Sequence, residues 1–458
     1  MFKKVLVANR GAVAARIIRA LREMGIPSVA VYSEADSDLP YLAEADEKVS
    51  IGASPATQSY LNIDAILAAA SATKADALHP GYGFLSENPE FARRVIQAGL
   101  IFIGPSPEWI ESMGHKTQAR KLMMKHDMPM CQSSEVLQGN LQEKCRRAAD
   151  IGFPLLIKPA AGGGGIGMIA VHSPEALPEA LEKAEGLAQR SFGSAELYAE
   201  RLFVRPRHIE FQIIADNYGN ATHLFERDCS IQRRHQKVIE EAGAPAIDPH
   251  EITAMTDSIV RIMKDIKYNN IGTVETLYDA DAGFSFLEMN TRLQVEHGVS
   301  EEVTGVDIVK SQIALAAGKG LFDVVPKDLG APKGHAIQAR IYAEDPWRSI
   351  PSPGLLKVFR MPKGPGIRIE TGYGEGNRVS PYYDPMVAKI IAHGSDRDSA
   401  IDTLRDALLS TQIEGIKTNI PFLLAALSDP TFCQGIVHTN LASEIIAQTE
   451  STKLAVSA

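Results

Sequence analysis

The chain has 458 residues, of which 45% are apolar and 22% charged, and its formal net charge at pH 7 is −9. This composition is typical of a globular protein with room for about three domains. The acidic balance excludes nucleic acid as the main partner. The four cysteines show no C-x-x-C spacing, and no apolar run reaches 18 residues. We therefore expect neither a zinc site nor a disulfide framework nor a membrane partner. The N-terminus lacks a signal-peptide pattern, which predicts a cytoplasmic location.

Short apolar strands alternate with helical stretches from residue 1 to about 113. The strands are predicted at 5–8, 28–32, 75–78 and 100–104. Such a β-α-β-α series predicts a doubly wound parallel sheet that is covered on both faces. Asn9, Arg10 and Gly11 follow the first strand, at the position where doubly wound folds place ligands. The polar loop 79–88, which is rich in glycine and proline, is predicted to lie on the same binding face.

A run of glycines at 162–165 and 167 follows Lys158 on a predicted strand. The run satisfies G-x-G-x-x-G, but a strand-like segment at 168–171 follows it instead of a helix, and no G-K-[ST] is present. Neither a Rossmann fingerprint nor a Walker A loop is therefore predicted. We expect a glycine hairpin whose backbone N–H groups cover a phosphate, with Lys158 directed at that phosphate. A flexible glycine turn without a ligand is the alternative.

Residues 226–237 combine four basic side chains in one short segment: Arg227, Arg233, Arg234 and Lys237. On an acidic chain, such a local concentration of positive charge predicts an anion site rather than a nucleic-acid surface. A solvated charged loop is the alternative interpretation.

Residues 288–296 alternate polar and less polar side chains, which predicts an extended strand. The polar face of this strand carries Glu288, Asn290, Arg292, Gln294 and Glu296. A predicted turn at 279–283 places Glu275 opposite Glu288 in a hairpin. Like charges in direct opposition destabilise a strand pair. Because a hard cation between the two carboxylates removes this repulsion, the hairpin predicts an Mg²⁺ and phosphate site. A half-solvated edge strand is the alternative.

Six long segments occur in an order that resembles biotin carboxylase, of the ATP-grasp superfamily. They are residues 7–11, residues 79–88, Lys158 with the glycine run, residues 226–237, residues 288–297 and residues 382–386. The resemblance extends along nearly the whole chain. It implies a mixed α/β and α+β fold with an N-terminal doubly wound domain, an ATP-grasp central region with a mobile glycine-rich lid, and a C-terminal β-rich domain. The expected boundaries are 1–113, a helical connector at 114–130, the lid at 131–203, the catalytic region at 204–330, the C-terminal domain at 331–446 and a tail at 447–458.

The resemblance also implies the roles of individual residues. The ATP contacts that it implies are Lys116, Lys158, Gly163, Gly164, Gly165, Glu200, Arg201, His208, Gln232 and His235. The ligands that it implies for Mg²⁺, with Mn²⁺ as an alternative ion, are Glu275, Glu288 and Asn290. The bicarbonate contacts that it implies are Lys237, Arg292, Gln294 and the backbone of Val295. The catalytic residues that it implies are Glu296 as the base, Arg340 as the cation that stabilises the biotin enolate, and Arg292 and Lys237.

The implied activity is that of a ligase, the ATP- and bicarbonate-dependent carboxylation of biotin through carboxyphosphate. No lysine lies in a Met-Lys-Met context, so we expect biotin on a separate carrier protein and the carboxyltransferase on further chains. The resemblance places Arg16, Arg19, Glu23 and Arg368 in a homodimer interface. The alternatives are another ATP-grasp ligase that joins an acyl phosphate to an amine, and an inactive nucleotide-sensing module.

The chain departs from the usual pattern of the family at five positions. Ile166 and Arg201 stand where arginine and lysine are common, His115 where aspartate is common, Ala12 where glutamate is usual, and Gly298 where proline is frequent. These departures concern lid closure and the adenine contact, because none of them is a predicted metal or bicarbonate ligand.

Overall fold

The computed structural model describes residues 1–160 and 167–457, with side chains up to residue 449. The chain forms two compact units. The first unit comprises Met1–His126, Arg207–Thr276 and Leu287–Ala458, and the second comprises Asp127–Pro206 and Leu277–Phe286. None of the described helices combines the length and the apolar composition that crossing a bilayer requires.

The N-terminal part of the first unit is the predicted doubly wound parallel sheet. Its strands are β1 (Val5–Val7), β2 (Ser28–Ser33), β3 (Glu47–Gly52), β4 (Ala77–His79) and β5 (Ile101–Phe102). Its helices are α1 (Gly11–Glu23), α2 (Tyr41–Glu44), α3 (Ile63–Thr73), α4 (Pro89–Gln97), α5 (Pro107–Gly114) and α6 (Lys116–Lys125). The spatial order is β3-β2-β1-β4-β5, with all pairs parallel. The order reverses beside β1, so Asn9 and Arg10 lie at the topological switch point.

The second unit contains a three-stranded antiparallel sheet in the order β7-β6-β8. Its elements are α7 (Leu141–Ala149), β6 (Leu155–Pro159), β7 (Ile169–Val171), α8 (Leu177–Phe192) and β8 (Leu197–Arg201). Asn140 caps α7 in a capping box with Glu143, which satisfies backbone donors that the first helical turn leaves open. Leu155, Ile157 and Leu181 belong to the apolar core of this unit. The strands that the sequence predicted on either side of the glycine run are confirmed.

An eight-stranded sheet follows, in the order β13-β12-β9-β10-β11-β14-β19-β17. Its strands are β9 (Arg207–Ala215), β10 (Ala221–Arg233), β11 (Gln236–Ala242), β12 (Asn270–Asp279), β13 (Gly283–Asn290), β14 (His335–Tyr342), β17 (Ile367–Thr371) and β19 (Met386–Gly394). Short strands form two further pairs, β15 (Gly354–Leu355) with β18 (Arg378–Val379) and β16 (Val358–Arg360) with β20 (Gln412–Glu414). Because β11 pairs with β14, one continuous sheet joins the predicted catalytic region to the predicted C-terminal domain.

Helices cover this sheet and complete the first unit. They are α9 (Pro249–Asp265), α10 (His297–Thr304), α11 (Ile308–Ala316), α12 (Arg397–Ser410), α13 (Ile420–Leu427), α14 (Pro430–Cys433) and α15 (Leu441–Ser457). One apolar core runs from the N-terminal sheet into the C-terminal elements and contains Val5, Ile17, Ile337, Ile390 and Leu404, all fully buried. Burying each such side chain contributes roughly 1.5–3 kcal/mol. This core fixes the strands that carry the polar residues of the site.

Candidate active site

Lys237 lies at the centre of a buried group of carboxylates in the first unit. Its Nζ is 2.5 Å from Glu210 Oε2, 2.8 Å from Glu275 Oε1 and 2.8 Å from Glu296 Oε1. Burial alone would lower the pKa of Lys237, but the three carboxylates outweigh burial and hold this pKa well above its usual value. The ammonium group therefore stays protonated and neutralises part of the negative charge around it.

Glu296 is fully buried and immediately precedes helix α10. Its Oε1 accepts from Lys237 Nζ, and its Oε2 accepts from Arg340 Nη2 at 3.0 Å. Burial alone would raise the pKa of Glu296, but the positive charges of Lys237, Arg340 and Arg227 hold this pKa well below its usual value. Glu296 is therefore ionised at neutral pH and can accept a proton from a bound substrate.

Arg340 is oriented by a second buried carboxylate. Glu240 Oε1 accepts from Arg340 Nε at 2.5 Å, and Glu240 Oε2 accepts from Gln338 Nε2 at 3.0 Å. Gln338 and Arg340 are two residues apart on β14, so they share one face of the sheet. With its Nε held by Glu240, the guanidinium directs Nη2 at Glu296. Arg340 therefore lies beside the base with its orientation fixed.

Glu275 receives hydrogen bonds from two amides at a single oxygen. Asn290 Nδ2 and Gln294 Nε2 donate to Glu275 Oε1 at 2.8 and 3.1 Å, and His208 Nε2 lies 2.8 Å from Oε2. Burial alone would raise the pKa of Glu275, but Lys237 and His208 hold it well below its usual value. The carboxylate is therefore ionised and held in one orientation.

The segment that carries Arg292 differs from the predicted strand. Strand β13 ends at Asn290, and the chain continues as a loop that leads into α10 at His297, so the prediction of an extended strand to Glu296 is wrong. Thr291 and Leu293 are buried and anchor the loop against the protein interior. The polar side chains converge there instead of alternating along a straight strand.

Arg292 connects the polar side chains of this loop. Its Nη2 donates to Asn290 Oδ1 and its Nη1 to Gln294 Oε1, both at 2.9 Å, and its Nε donates to Glu87 Oε2 at 2.7 Å. Glu288 has a different environment, because it is partly exposed and lies 3.5 Å from Lys116 Nζ. The opposition of Glu275 and Glu288 in the hairpin stays a prediction.

The predicted ATP contacts of the first unit occupy different environments. Gln232 Nε2 lies 2.8 Å from His208 Nδ1, and both side chains are buried. His235 is exposed in the tight turn between β10 and β11, where its φ is +65°. Lys116 is also exposed and has Glu288 as its ion-pair partner. The structure therefore brings His208 and Gln232 to the carboxylate group, and leaves His235 at the surface.

The predicted ATP contacts of the second unit form a group of their own. Lys158 Nζ donates to Glu200 Oε2 at 2.6 Å across the β6–β8 pair. Arg201 Nη1 donates to the carbonyl of Phe153 at 2.8 Å. The glycines predicted to cover phosphate, together with the departure next to them, lie outside the described residues: Gly163, Gly164, Gly165 and Ile166.

Five residues of this network were not predicted as site residues. They are Glu87, Glu210, Arg227, Glu240 and Lys389. Arg227 is fully buried and donates to Glu210 Oε1 at 2.5 Å, and Lys389 Nζ donates to the carbonyl of Val295 at 2.6 Å. A signal for Glu210 is present in the sequence, because His208, Glu210 and Gln212 alternate with apolar residues along one strand.

The donor set at Glu275 fits a hard divalent cation. Carboxylate and amide oxygens are the ligands that Mg²⁺ prefers, and Glu275 and Asn290 offer both kinds in a buried setting. His208, Glu210 and Glu275 can also bring one ligand atom each within 4.8 Å of one another. The nearby Lys237 already compensates part of the negative charge that such an ion would neutralise.

Comparison with known proteins agrees with this fold and site. Family models match residues 1–110 as "Biotin carboxylase, N-terminal domain", residues 115–324 as "Carbamoyl-phosphate synthase L chain, ATP binding domain" and residues 338–444 as "Biotin carboxylase C-terminal domain". Biotin carboxylase 2 of Bacillus subtilis is 48% identical over 96% of this chain and 99% of its own length. The biotin carboxylase of Pseudomonas aeruginosa is 45% identical over 96% of this chain and 97% of its own length.

Solved structures show the same likeness. The biotin carboxylase–β-γ-ATP complex from Campylobacter jejuni matches with a TM-score of 0.90 and 41% identity over 97% of this chain and 99% of that one. A second match is the biotin carboxylase domain dimer of Hydrogenobacter thermophilus 2-oxoglutarate carboxylase, in complex with MgADP, ADP and bicarbonate. It has a TM-score of 0.88 and 41% identity over the same shares.

A doubly wound N-terminal sheet, an ATP-grasp region and a charged site of this kind define an ATP-grasp ligase. Within that class, the chain belongs to the biotin carboxylase family. The predicted fold and the predicted activity, ATP-dependent carboxylation of biotin, are thereby confirmed. The MgADP and bicarbonate of the Hydrogenobacter structure match the ligands that the sequence predicted.

Proposed function

We propose that the chain uses ATP, Mg²⁺ and bicarbonate to carboxylate biotin through carboxyphosphate, with the residue roles given below. The observation that carries these roles is the array in which Glu296 lies between Lys237 and Arg340, in contact with both cations. One buried carboxylate thereby adjoins the residues proposed for each of the two half-steps. The Lys237 side concerns bicarbonate, and the Arg340 side concerns biotin.

In the first step, bicarbonate is held by Lys237, Arg292, Gln294 and the backbone of Val295. Glu296 accepts the bicarbonate proton while a bicarbonate oxygen attacks the γ-phosphate of ATP. Bound Mg²⁺ at Glu275, Glu288 and Asn290 would supply charge neutralisation for this phosphoryl transfer. The remaining ATP contacts proposed in the first unit are Lys116, His208, Gln232 and His235. Those proposed in the second unit are Lys158, Glu200, Arg201 and the glycines at 163–165.

In the second step, carboxyphosphate releases CO₂ and phosphate, and the phosphate takes the proton from the ureido nitrogen of biotin. The resulting enolate carries negative charge on its oxygen and attacks CO₂. Arg340 is proposed to stabilise that oxygen, because a guanidinium with a fixed orientation needs little reorganisation as charge develops. Glu240 supplies the fixed orientation through its contact with Arg340 Nε.

The partners are also part of the proposal. We propose that biotin is attached to a separate carrier protein and that separate carboxyltransferase subunits use the product, because Biotin carboxylase 2 matches over 99% of its length. A homodimer is supported by the dimeric Hydrogenobacter structure. Arg16 is buried within this chain on Glu301 and Asp307, so of the predicted interface residues Arg19 and Glu23 offer the accessible surface. The four free cysteines agree with a cytoplasmic location.

The experiment compares Glu296→Ala with Arg340→Ala. We expect Glu296→Ala to lose bicarbonate-dependent ADP release and carboxybiotin formation together. We expect Arg340→Ala to keep part of its bicarbonate-dependent ATP hydrolysis while carboxybiotin formation falls by about 10²-fold. A coupled assay measures ADP release, and ¹⁴C-bicarbonate measures the label fixed on biotin. Arg360→Ala, at an exposed residue of β16, is the matched control.

Two results would contradict the proposal. If both variants lost the two activities equally, the separation of roles between Glu296 and Arg340 would be wrong. If the unaltered protein fixed no label but hydrolysed ATP when an amine was added, the amine-ligase alternative would replace the proposal.

A further inference from the structure

A cavity of about 450 Å³ on the first unit lies outside the proposed catalytic array. Its lining includes three arginines, an indole ring and two hydroxyl groups, namely Arg233, Arg234, Arg348, Trp347, Ser349 and Ser443. Cavities of about 300–1,000 Å³ hold small molecules, and they orient them with a few convergent polar groups. This cavity has the size of such a site, and its polar groups are mostly cationic.

Arg233 is the deepest cation of the cavity, because it is only 4% exposed. Its Nη2 is paired with Glu344, but its Nη1 is buried and has no hydrogen-bond partner among the described residues. A buried donor that lacks an acceptor costs free energy, and native structures satisfy most such groups. An acceptor bound in the cavity would satisfy this donor.

The other two arginines carry positive charge that the protein does not compensate. Arg234 and Arg348 are exposed, and no carboxylate of the described part of the chain lies within ion-pair distance of either. The guanidinium of Arg234 donates only to the carbonyl of Arg348, at 3.3 Å. The nearby carboxylates are already paired, Glu344 with Arg233 and Asp345 with Lys417. The cavity therefore presents excess positive charge on a chain whose net charge is −9.

We propose that this cavity binds the phosphate group of a small molecule, at a site separate from the active site. Guanidinium groups form forked, charge-assisted hydrogen bonds that match phosphate oxygens. The volume exceeds that of a phosphate ion, so an organic substituent can lie against Trp347. The shared chemistry is the phosphate group, and its source is either free phosphate or a phosphate ester.

The cavity is connected to the active site through one tight turn. Arg233 ends β10, Arg234 and His235 form the turn with φ values of +51° and +65°, and Lys237 follows on β11. A non-glycine residue in this conformation costs free energy that neighbouring contacts must offset. An anion bound by Arg233 and Arg234 supplies such contacts. Occupancy of the cavity should therefore stabilise the turn that precedes Lys237.

The test uses the two tryptophans of the chain, Trp109 and Trp347. In the full-length Trp109→Phe protein, Trp347 is the sole indole reporter. Inorganic phosphate and ribose 5-phosphate are titrated at constant ionic strength, and Trp347 emission is recorded. We expect a saturable change that Arg348→Ala weakens by about tenfold or more, that Arg348→Lys restores in part, and that Arg360→Ala leaves unaltered.

The two probes separate the two sources of phosphate. Tighter binding of ribose 5-phosphate assigns the site to phosphate esters, and tighter binding of inorganic phosphate assigns it to the free ion. Hydrogen exchange of residues 233–238 should slow with either probe, and not in Arg348→Ala. A response equal to that of chloride at the same ionic strength, or an affinity unaltered in Arg348→Ala, would overturn the site. Unaltered exchange would overturn its coupling to the turn.

Discussion

The two units of the chain each contain a lysine paired with glutamate, but the two pairs have very different surroundings. Lys237 contacts three carboxylates and its side chain is 12% exposed, whereas Lys158 contacts Glu200 alone and is 21% exposed. Buried charges that are mutually paired keep a fixed geometry, which phosphoryl transfer and proton removal require. A single, more accessible pair suits a nucleotide contact that must form and release in every turnover. The difference between the units therefore follows the difference between chemistry and binding.

The substitutions Lys237→Met and Lys158→Met test this difference most strongly. Lys237→Met leaves three carboxylates without their central cation, so we expect bicarbonate-dependent ATP turnover to fall by at least about 10³-fold. The free energy of unfolding should fall by about 3–5 kcal/mol. Lys158→Met should instead raise the KM for ATP by about tenfold and change the free energy of unfolding by less than about 1 kcal/mol. Steady-state kinetics and urea unfolding measure both, and similar losses in the two variants would remove the distinction.

The proposed metal ligands offer a finer comparison within the first unit. Glu275→Gln and Glu288→Gln should each lower Mg²⁺-dependent ATP turnover by about 10²-fold. Only Glu275→Gln should also lower the free energy of unfolding, because Glu275 contacts Lys237 and Asn290, whereas Glu288 is partly exposed beside Lys116. Mg²⁺ titrations of ATP turnover and denaturant unfolding provide the measurements. Normal Mg²⁺ dependence in both variants would refute the metal assignment.

The sequence predicted which residues form the site better than it predicted their geometry. Alternation from 288 to 296 identified Asn290, Arg292 and Glu296, although most of that segment is a loop. A spacing of two residues indicates a common face only if the chain stays extended, and the burial of Leu293 bends it instead. The contact between Glu240 and Arg340 could not be predicted, because it depends on the register of β11 with β14, which are 100 residues apart in sequence.

The fold was predictable to a similar extent. The alternation of apolar strands and helices was sufficient for the N-terminal parallel sheet. Strand β3 was missed, because Ile51 is its only buried residue and an exposed edge strand leaves little apolar signal. Helix α10 was also missed, because its first residues continue the polar pattern of the preceding loop.

A third prediction concerns pH and a buried group outside the ion-pair network. Burial lowers the pKa of His79 from 6.5 to about 3, and Gly81 N–H donates to its Nδ1, as a neutral ring requires. The unfolded chain takes up a proton at His79 below pH 6.5 and the folded chain does not, so stability is lost as pH falls from 6.5 towards 3. His79→Gln should reduce the loss in unfolding free energy between pH 7.5 and 5 by about 2 kcal/mol.

Urea unfolding at the two pH values measures this effect, and His250→Gln, at an exposed histidine, is the matched control. An equal pH dependence in the His79→Gln variant and the unaltered protein would contradict a neutral His79.

The smallest expected effect concerns the lid of the second unit. Arginine is common in the family where this chain has Ile166, and a guanidinium can form a charged fork on phosphate that isoleucine cannot. We expect Ile166→Arg to lower the KM for ATP several-fold without a change in kcat. Ile166→Lys serves as a control for charge without the fork. An unaltered or higher KM would show that this position does not contact the nucleotide.

The pairing of β11 with β14 limits how this enzyme can be divided or recombined. A fragment that ended near residue 330 would leave the backbone groups of Ile239, Glu240 and Glu241 without their partner strand. It would also separate Arg340 from Glu296. Exchange of the C-terminal part between homologous enzymes therefore requires joining points outside this sheet. The two halves of the reaction are inherited together because they share one set of backbone hydrogen bonds.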